Sequence, residues 1–370
     1  MFSRRARWDS PINALTRARQ AHRGPLLDLT ETNPTRAGIA WPQQELADAL
    51  ARGTHAAYDP DPRGLRAARE ALAGRLGCSA DDLLLTASTS EAYSFLFKLL
   101  TDPGDELLTA TPSYPLLEHL ASMELVHLRS FPLEFHRRWE IERSRIAAHL
   151  TPRTRALIVI NPNNPTGSYV TATEQATLAS FGLPLVSDEV FLDYPLDAAG
   201  TTIVRDDVLT FTLGGLSKSA GLPHFKLGWI RVSGPGAREA LEALEMIADN
   251  FLSVTTPVQA ALGELLDIGT QIRRAISDRT RRNLGMLRDA ISHVASAEVL
   301  PVEGGWIAVI RVPRVMSDEE LALALLEQGV VVQPGYFFDF DREGFLVVSL
   351  LTENATFAEG VARMVDVLPT

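Results

Sequence analysis

Cysteine is nearly absent from this 370-residue chain, where Cys78 stands alone. A single thiol excludes an intrachain disulfide and a cysteine-rich zinc site, and it fits a reducing compartment. The eight histidines include no His-Glu-x-x-His or other clustered ligand pattern. Long apolar runs are missing too. Ala156–Ile160 is typical of them, far below the roughly 18 residues of a membrane span. The basic start, Met1–Trp8, has no apolar stretch behind it that reads as a secretion signal. Positive charge is in deficit, with 35 Lys and Arg against 46 Asp and Glu and a net charge of −11. A field of that sign disfavours broad binding to phosphate backbones. No Walker-type phosphate loop occurs, and Gly215-Leu-Ser-Lys-Ser219 lacks the second glycine of a nucleophile elbow. The expectation is a cytoplasmic protein with no membrane and no nucleic-acid partner.

What is present is ordinary globular material, 46% hydrophobic and 22% charged, which rules out a disordered chain. The length predicts about two domains. Short β-rich runs alternate with helix-period stretches. Strands are predicted at Asp82–Thr86, Glu106–Ala110, Arg155–Ile160, Leu183–Ser187 and Val208–Leu213, with a helix at Glu91–Leu100 between the first two. Strands that are apolar without alternation, separated by helices, predict a mostly parallel sheet covered on both faces. After residue 234 long helical stretches take over, at Ala237–Asp249 and Val258–Ala290. Strands at Gly305–Arg311 and Gly344–Leu350, with helical pieces near Asp318–Gln328 and Ala355–Val367, then read as a smaller α+β unit. The fold class is therefore α/β. A large domain is expected over about residues 42–255, and a small α+β domain over 1–41 and 256–370.

Open parallel sheets place function at the carboxyl ends of their strands. Three unusual residues fall there: Asn164 past the third predicted strand, Asp188 at the end of the fourth, and Lys218 past the fifth. One amide, one carboxylate and one lysine match the needs of pyridoxal 5′-phosphate. That cofactor takes a lysine for a Schiff base, a carboxylate for its ring nitrogen and donors for its phosphate. Taken singly, each residue reads as turn chemistry, a helix cap or a solvated side chain. The set together points to a cofactor site.

The motifs around these residues resemble those of the class I/II aminotransferases, aspartate-aminotransferase-like enzymes of pyridoxal-phosphate fold type I. Asn161-Pro-Asn-Asn-Pro-Thr-Gly167 resembles the family's asparagine turn, Ser187-Asp-Glu-Val190 its aspartate segment, and Leu216-Ser-Lys218 its Schiff-base segment. The likeness runs from Asp28-Leu-Thr-Glu-Thr-Asn-Pro34 to the C-terminus. It implies a ping-pong amino-group transfer between a small-molecule amino donor and a 2-oxo acid, in a homodimer. By the same resemblance Ser88, Thr89 and Ser90 cup the phosphate, Tyr114 stacks on the ring, and Tyr58 crosses to the partner subunit's phosphate. Lys226 takes the place of a phosphate-gripping arginine.

Three positions depart from the family pattern. Phe191 replaces a tyrosine that donates to the ring oxygen. Gly215 replaces a phosphate-binding serine, for which Ser217 or Thr212 are candidates to compensate. Val347 occupies the place of the arginine that holds the substrate carboxylate by a two-pronged pair. Asn33, Arg36 and Trp306 are then candidates for a replacement substrate surface. The loss of that arginine leaves a lyase or decarboxylase of the same fold as the alternative reading. A regulatory domain built on this fold is a third, and the acidic balance speaks against it.

Overall fold

The computed structural model describes Ser3, Arg5 and residues 11–368; most of the basic start Met1–Trp8 lies outside the described residues. The predicted apolar runs form one seven-stranded sheet. In chain order its strands are β1 (Leu83–Thr86), β2 (Glu106–Thr111), β3 (His127–Pro132), β4 (Thr154–Ile160), β5 (Leu185–Asp188), β6 (Thr210–Gly215) and β7 (Gly228–Ser233). Their spatial order is β1-β7-β6-β5-β4-β2-β3. The neighbouring strands from β3 through β6 are parallel, whereas β7 runs antiparallel to both β6 and β1. Every residue of β1, β5 and β6 is buried, which is why these strands carry no polar alternation. The two strands not predicted are β3 and β7. At the sheet edge β3 exposes His127, Arg129 and Ser130, and β7 leaves Arg231 half-buried; neither gives a continuous apolar run.

Helix α1 (Thr89–Leu100) follows β1 directly. The stretch predicted as one helix over Val258–Ala290 is a short turn, Thr256–Ala260, followed by α2 (Leu262–Ser292) of 31 residues. A second sheet contains β8 (Glu298–Val299), β9 (Ile307–Arg311), β10 (Gln333–Pro334) and β11 (Phe345–Ser349), all antiparallel in the order β8-β9-β11-β10. Helix α3 (Asn354–Val367) closes the chain. The N-terminal segment joins this second unit, since Leu27–Asp28 pairs in parallel with Val330–Val331.

Helix α2 belongs to two cores. Its first half, Leu262, Leu265, Ile268, Ile272 and Ile276, packs with Leu72, Leu216, Leu227 and Trp229 of the larger unit. Its second half, Leu284, Leu287 and Ile291, packs with Leu29, Leu346, Val348 and Phe357 of the smaller one. Among the described residues no helix is long and apolar enough to cross a membrane.

Candidate active site

A cavity of about 540 Å³ opens at the carboxyl ends of β4, β5 and β6, beside the first turn of α1. Four strand-to-loop transitions bring its residues there.

The turn after β4 divides its three asparagines by role. Asn161 is fully buried; its amide donates to the Thr201 carbonyl at 3.0 Å and its oxygen accepts from the Val170 N–H at 3.0 Å. Asn163 donates to the Pro112 carbonyl and to the Thr166 hydroxyl. These two fix the turn. The third, Asn164, lines the cavity with a buried Oδ1 that has no hydrogen-bond partner. A buried polar atom without a partner is costly, so Asn164 is built to meet something the cavity receives.

Strand β5 ends on Asp188, which is buried. Its Oδ1 accepts from the Val190 N–H at 3.2 Å and its Oδ2 from the Tyr93 hydroxyl at 3.0 Å. Burial lifts the Asp188 carboxyl to about 6, against the pull of those two hydrogen bonds and of the Lys218 cation. Burial and the adjacent Asp188 also push the Tyr93 phenol well up, so it keeps its proton to donate. Tyr93 is a site residue that the sequence reading missed. Its one signal is its place on α1, a turn beyond Ser90 and facing the same way, and an aromatic there reads equally well as core.

Strand β6 ends at Gly215 and passes into one helical turn, Leu216–Ser219, which carries Lys218. The Tyr194 hydroxyl donates to the Lys218 carbonyl at 2.5 Å. The Lys218 amine sits 4.9 Å from the ring centre of Trp306 and 5.6 Å from that of Phe191. Burial lowers its pKa to about 8, while Asp188 and Glu31 oppose the shift. An amine held near neutrality carries a usable unprotonated fraction at physiological pH.

The fourth transition is from β1 into α1. Ser88 caps that helix, its hydroxyl accepting from the Glu91 N–H at 3.2 Å. Thr89, Ser90 and Ser217 line the cavity, and their hydroxyls make no hydrogen bond among the described residues. The free N–H groups and the positive end of the helix dipole make this first turn a place for an anion. Gly228 of β7 lies directly behind it. A Cβ there would stand 3.1 Å from the Thr89 nitrogen and 3.0 Å from the Ser88 carbonyl carbon.

Lys218, Asp188, Asn164, Tyr114, Ser88, Thr89, Ser90, Phe191 and Ser217 therefore meet around one cavity. Other candidates lie elsewhere. Lys226 is exposed, with a left-handed backbone of φ 50°, and is outside the lining. Tyr58 is 72% exposed and borders a separate small cleft. Asn33 closes its own turn by accepting from the Thr35 N–H and hydroxyl, and Arg36 is exposed; neither lines the cavity. Trp306 is buried and packs edge-on against Phe191 and Tyr194, below the Lys218 amine rather than in the lining. Val347 is fully buried in the core between the two sheets. The far wall is formed instead by Asn13, Thr32, Gln333, Phe337 and Phe338, with His119 also in the lining. Three of these come from the 333–338 stretch beyond α2, which no local sequence signal connects to the strand ends.

A lysine of lowered basicity, a buried carboxylate and an anion-ready helix start therefore meet at the ends of parallel strands. Comparison with known proteins makes the class specific. The family model described as aminotransferase class I and II matches residues 25–363. The chain belongs to the class I and II aminotransferase family.

Its relatives include the glutamate-pyruvate aminotransferase AlaA of Haemophilus influenzae, 26% identical over 83% of this chain and 81% of that protein. The alanine aminotransferase of Mycobacterium tuberculosis is 26% identical over 93% and 85%. Nicotianamine aminotransferase 1 of Oryza sativa is 30% identical, but the match spans about half of its length, 49%, and 60% of this chain. Among solved structures, the alanine aminotransferase of Pyrococcus furiosus superposes with a TM-score of 0.87 at 22% identity, covering 99% of both chains. The Thermus thermophilus aspartate aminotransferase with maleate gives 0.85 at 22%, covering 100% of both. At that identity the structural likeness speaks for the fold. The expected α/β fold and an enzyme of amino-group transfer are borne out, and the lyase alternative is not favoured.

Proposed function

We propose that this chain is a pyridoxal-5′-phosphate-dependent aminotransferase with Lys218 as its catalytic residue. One observation carries the reading. The Lys218 amine, the Asp188 carboxylate and the unpartnered Asn164 oxygen share a cavity with the free first turn of α1. The residues fit the cofactor at each of its groups. Lys218 holds the aldehyde, Asp188 the ring nitrogen, Asn164 the ring hydroxyl and Tyr114 the ring face. The hydroxyls of Thr89, Ser90 and Ser217 and the N–H groups at the start of α1 would hold the phosphate, with Ser88 as the residue that caps that turn. When bound, pyridoxal phosphate supplies an electron-withdrawing ring that stabilises negative charge on the substrate's amine-bearing carbon.

The chain's own groups do the rest. Tyr93 and the Val190 N–H fix both oxygens of Asp188, so the carboxylate meets the ring nitrogen in one orientation. Lys218 Nζ, lowered to about 8 by burial, takes the proton from the amine-bearing carbon and carries it onward. Phe191 and Trp306 under that amine keep water from it. Water supplies the oxygen with which the donor leaves as an oxo compound, its amino group stays behind in the site, and the 2-oxo acid acceptor that enters next takes up that group, gives back the water and leaves as the amine. No outside oxidant or reductant is needed, and the kinetics are ping-pong.

The reading includes a large domain of about residues 42–255 and a small one built from the remainder, supported by the two sheets and their separate cores. It also includes a homodimer in which the exposed Tyr58 reaches the partner's phosphate, and a Lys226 that takes the place of the family's phosphate-gripping arginine in its own subunit. A cytoplasmic location is the reading that the lone cysteine supports. The test is borohydride reduction of the vitamin-saturated chain. The label is expected on the peptide carrying Lys218; a label elsewhere, or none, overturns the proposal.

A further inference from the structure

We infer that the ring faces of Trp306 and Phe191 form the seat on which the Lys218 amine holds the proton it takes from the substrate, with Trp306 as the positioning residue that makes this seat. The inference rests on the amino-transfer reading above and adds to it a residue that acts through Lys218.

Lys218 Nζ lies 4.9 Å from the ring centre of Trp306 and 5.6 Å from that of Phe191. Both distances fall within the roughly 6 Å over which a ring face attracts a cation, and the indole face is the strongest of its kind. The two rings stand edge to face, 5.2 Å apart at 70°, so they form a corner rather than one flat floor. Tyr194 backs the indole at 4.9 Å and 74°. Backbone hydrogen bonds hold Trp306 there from two sides. The Gly305 N–H donates to the Tyr194 carbonyl at 2.9 Å, and the Trp306 carbonyl accepts from the Leu350 N–H at 2.7 Å. The Tyr194 hydroxyl in turn donates to the Lys218 carbonyl at 2.5 Å. One tyrosine thus holds both the lysine and the residue next to the indole.

A tryptophan at this place has a cost. Trp306 is 1% exposed, and its indole N–H has no hydrogen-bond partner among the described residues. Burying an unpaired N–H is unfavourable, and a phenylalanine would fill apolar space without it. What the indole adds is a stronger π face. Burial works against the charged form of Lys218, while Asp188 and Glu31 favour it. Asp188 is committed to the ring nitrogen in the reading above, and the Glu31 carboxylate already accepts from the Asn33 N–H at 2.7 Å. The other titratable groups around the amine carry no negative charge to offer. Burial pushes the Tyr194 and Tyr93 phenols well up, and raises that of Tyr114; His119 lines the same cavity as a base. The ring faces stabilise a positive amine without a counter-charge that would pair with it permanently, so the lysine holds a proton and still gives it up.

The chain has three lysines, Lys98, Lys218 and Lys226, so labelling lysine with carbon-13 at Cε gives three NMR signals, and Lys218→Ala identifies the relevant one. The chain is saturated with pyridoxamine 5′-phosphate, which has no aldehyde and leaves the lysine amine unattached, and the signal is titrated with pH. Trp306→Leu is expected to lower the Lys218 midpoint by about one pH unit, and Trp306→Phe by about half as much. Retention of the pyridoxamine phosphate shows that each variant has folded. Uniform replacement of tryptophan by 5-fluorotryptophan weakens the π face at nearly constant shape. It should lower the midpoint in the unmutated chain and leave it unmoved in Trp306→Phe, which controls for the other tryptophans. Where a variant loses the pyridoxamine phosphate, the fluorinated chain decides alone. A midpoint that stays or rises in Trp306→Leu, equal shifts in the two variants, or no response to fluorination would each overturn the inference. The borohydride label separates the cases: a label on Lys218 with an unmoved midpoint removes the seat and leaves the cofactor reading standing, and its absence removes both.

Discussion

The two walls of the cavity are made by different means. The wall at the strand ends is polar and its geometry is set by hydrogen bonds. Asn161 and Asn163 lock a turn, Tyr93 and Val190 lock a carboxylate, and Tyr194 locks the backbone of Lys218. The opposite wall, from Gln333 to Phe338, is largely apolar and is held by packing, by the pairing of β10 with β11 and by the hydrogen bond from the Ser113 N–H to the Phe338 carbonyl. Preorganised dipoles and charges suit a partner that never changes. An apolar wall with one neutral amide suits a partner chosen among competitors, because altering it leaves the chemistry in place.

If that division is right, substitutions on the first wall strike cofactor and turnover together. Lys218→Ala should lose the borohydride label and at least about 10⁴-fold in turnover, read by peptide mapping and half-reaction rates. Asp188→Asn should cost roughly 10²–10³-fold in turnover with label retained.

Gly228→Ala tests the anion end alone. Its Cβ presses on the Ser88–Thr89 backbone, at about 1–2 kcal/mol, so cofactor affinity measured by equilibrium dialysis should weaken roughly tenfold.

Tyr93→Phe is subtler. Because Asp188 titrates near 6 in the folded chain, cofactor affinity should fall as pH drops through that value, where the carboxylate takes up a proton. The Tyr93 hydrogen bond favours the charged form. Removing it raises the carboxyl further, so the midpoint should move up by about one pH unit; a midpoint that stays put or moves down contradicts this sign.

The smallest effect belongs to the other wall. Gln333→Ala should change cofactor affinity by less than about threefold, and a large loss there would break the contrast between the walls.

The first wall was legible in the sequence because each of its parts follows a strand that is buried throughout and therefore apolar throughout. The strand ends at Ile160, Asp188 and Gly215 could be placed within a residue or two, and the unusual side chains stood at or just beyond them. Tyr93 escaped because a buried tyrosine on a helix is ambiguous until its hydroxyl finds a partner. Asn33, Arg36 and Trp306, the candidates for the substrate side, stand outside the cavity lining for separate reasons. Asn33 spends its oxygen on Thr35 and Arg36 stays in water, while Trp306 lies one layer too deep. Gln333 and the two phenylalanines reach the cavity only through the register of β10 on β11 and the docking of one sheet on the other. Such long-range placement leaves no periodic trace. The edge strand β3 and the antiparallel β7 were missed because their exposure pattern hides them.

Helix α2 gives the assembly a mechanical property. At about 46 Å, from its 31 residues and the standard rise, it is a stiff rod with one end sunk in each core. A pivot of about 5° around its midpoint carries each tip roughly 2 Å, in opposite senses. A displacement of the small sheet is therefore passed to the layer around Leu216, beside Lys218, through a single lever arm.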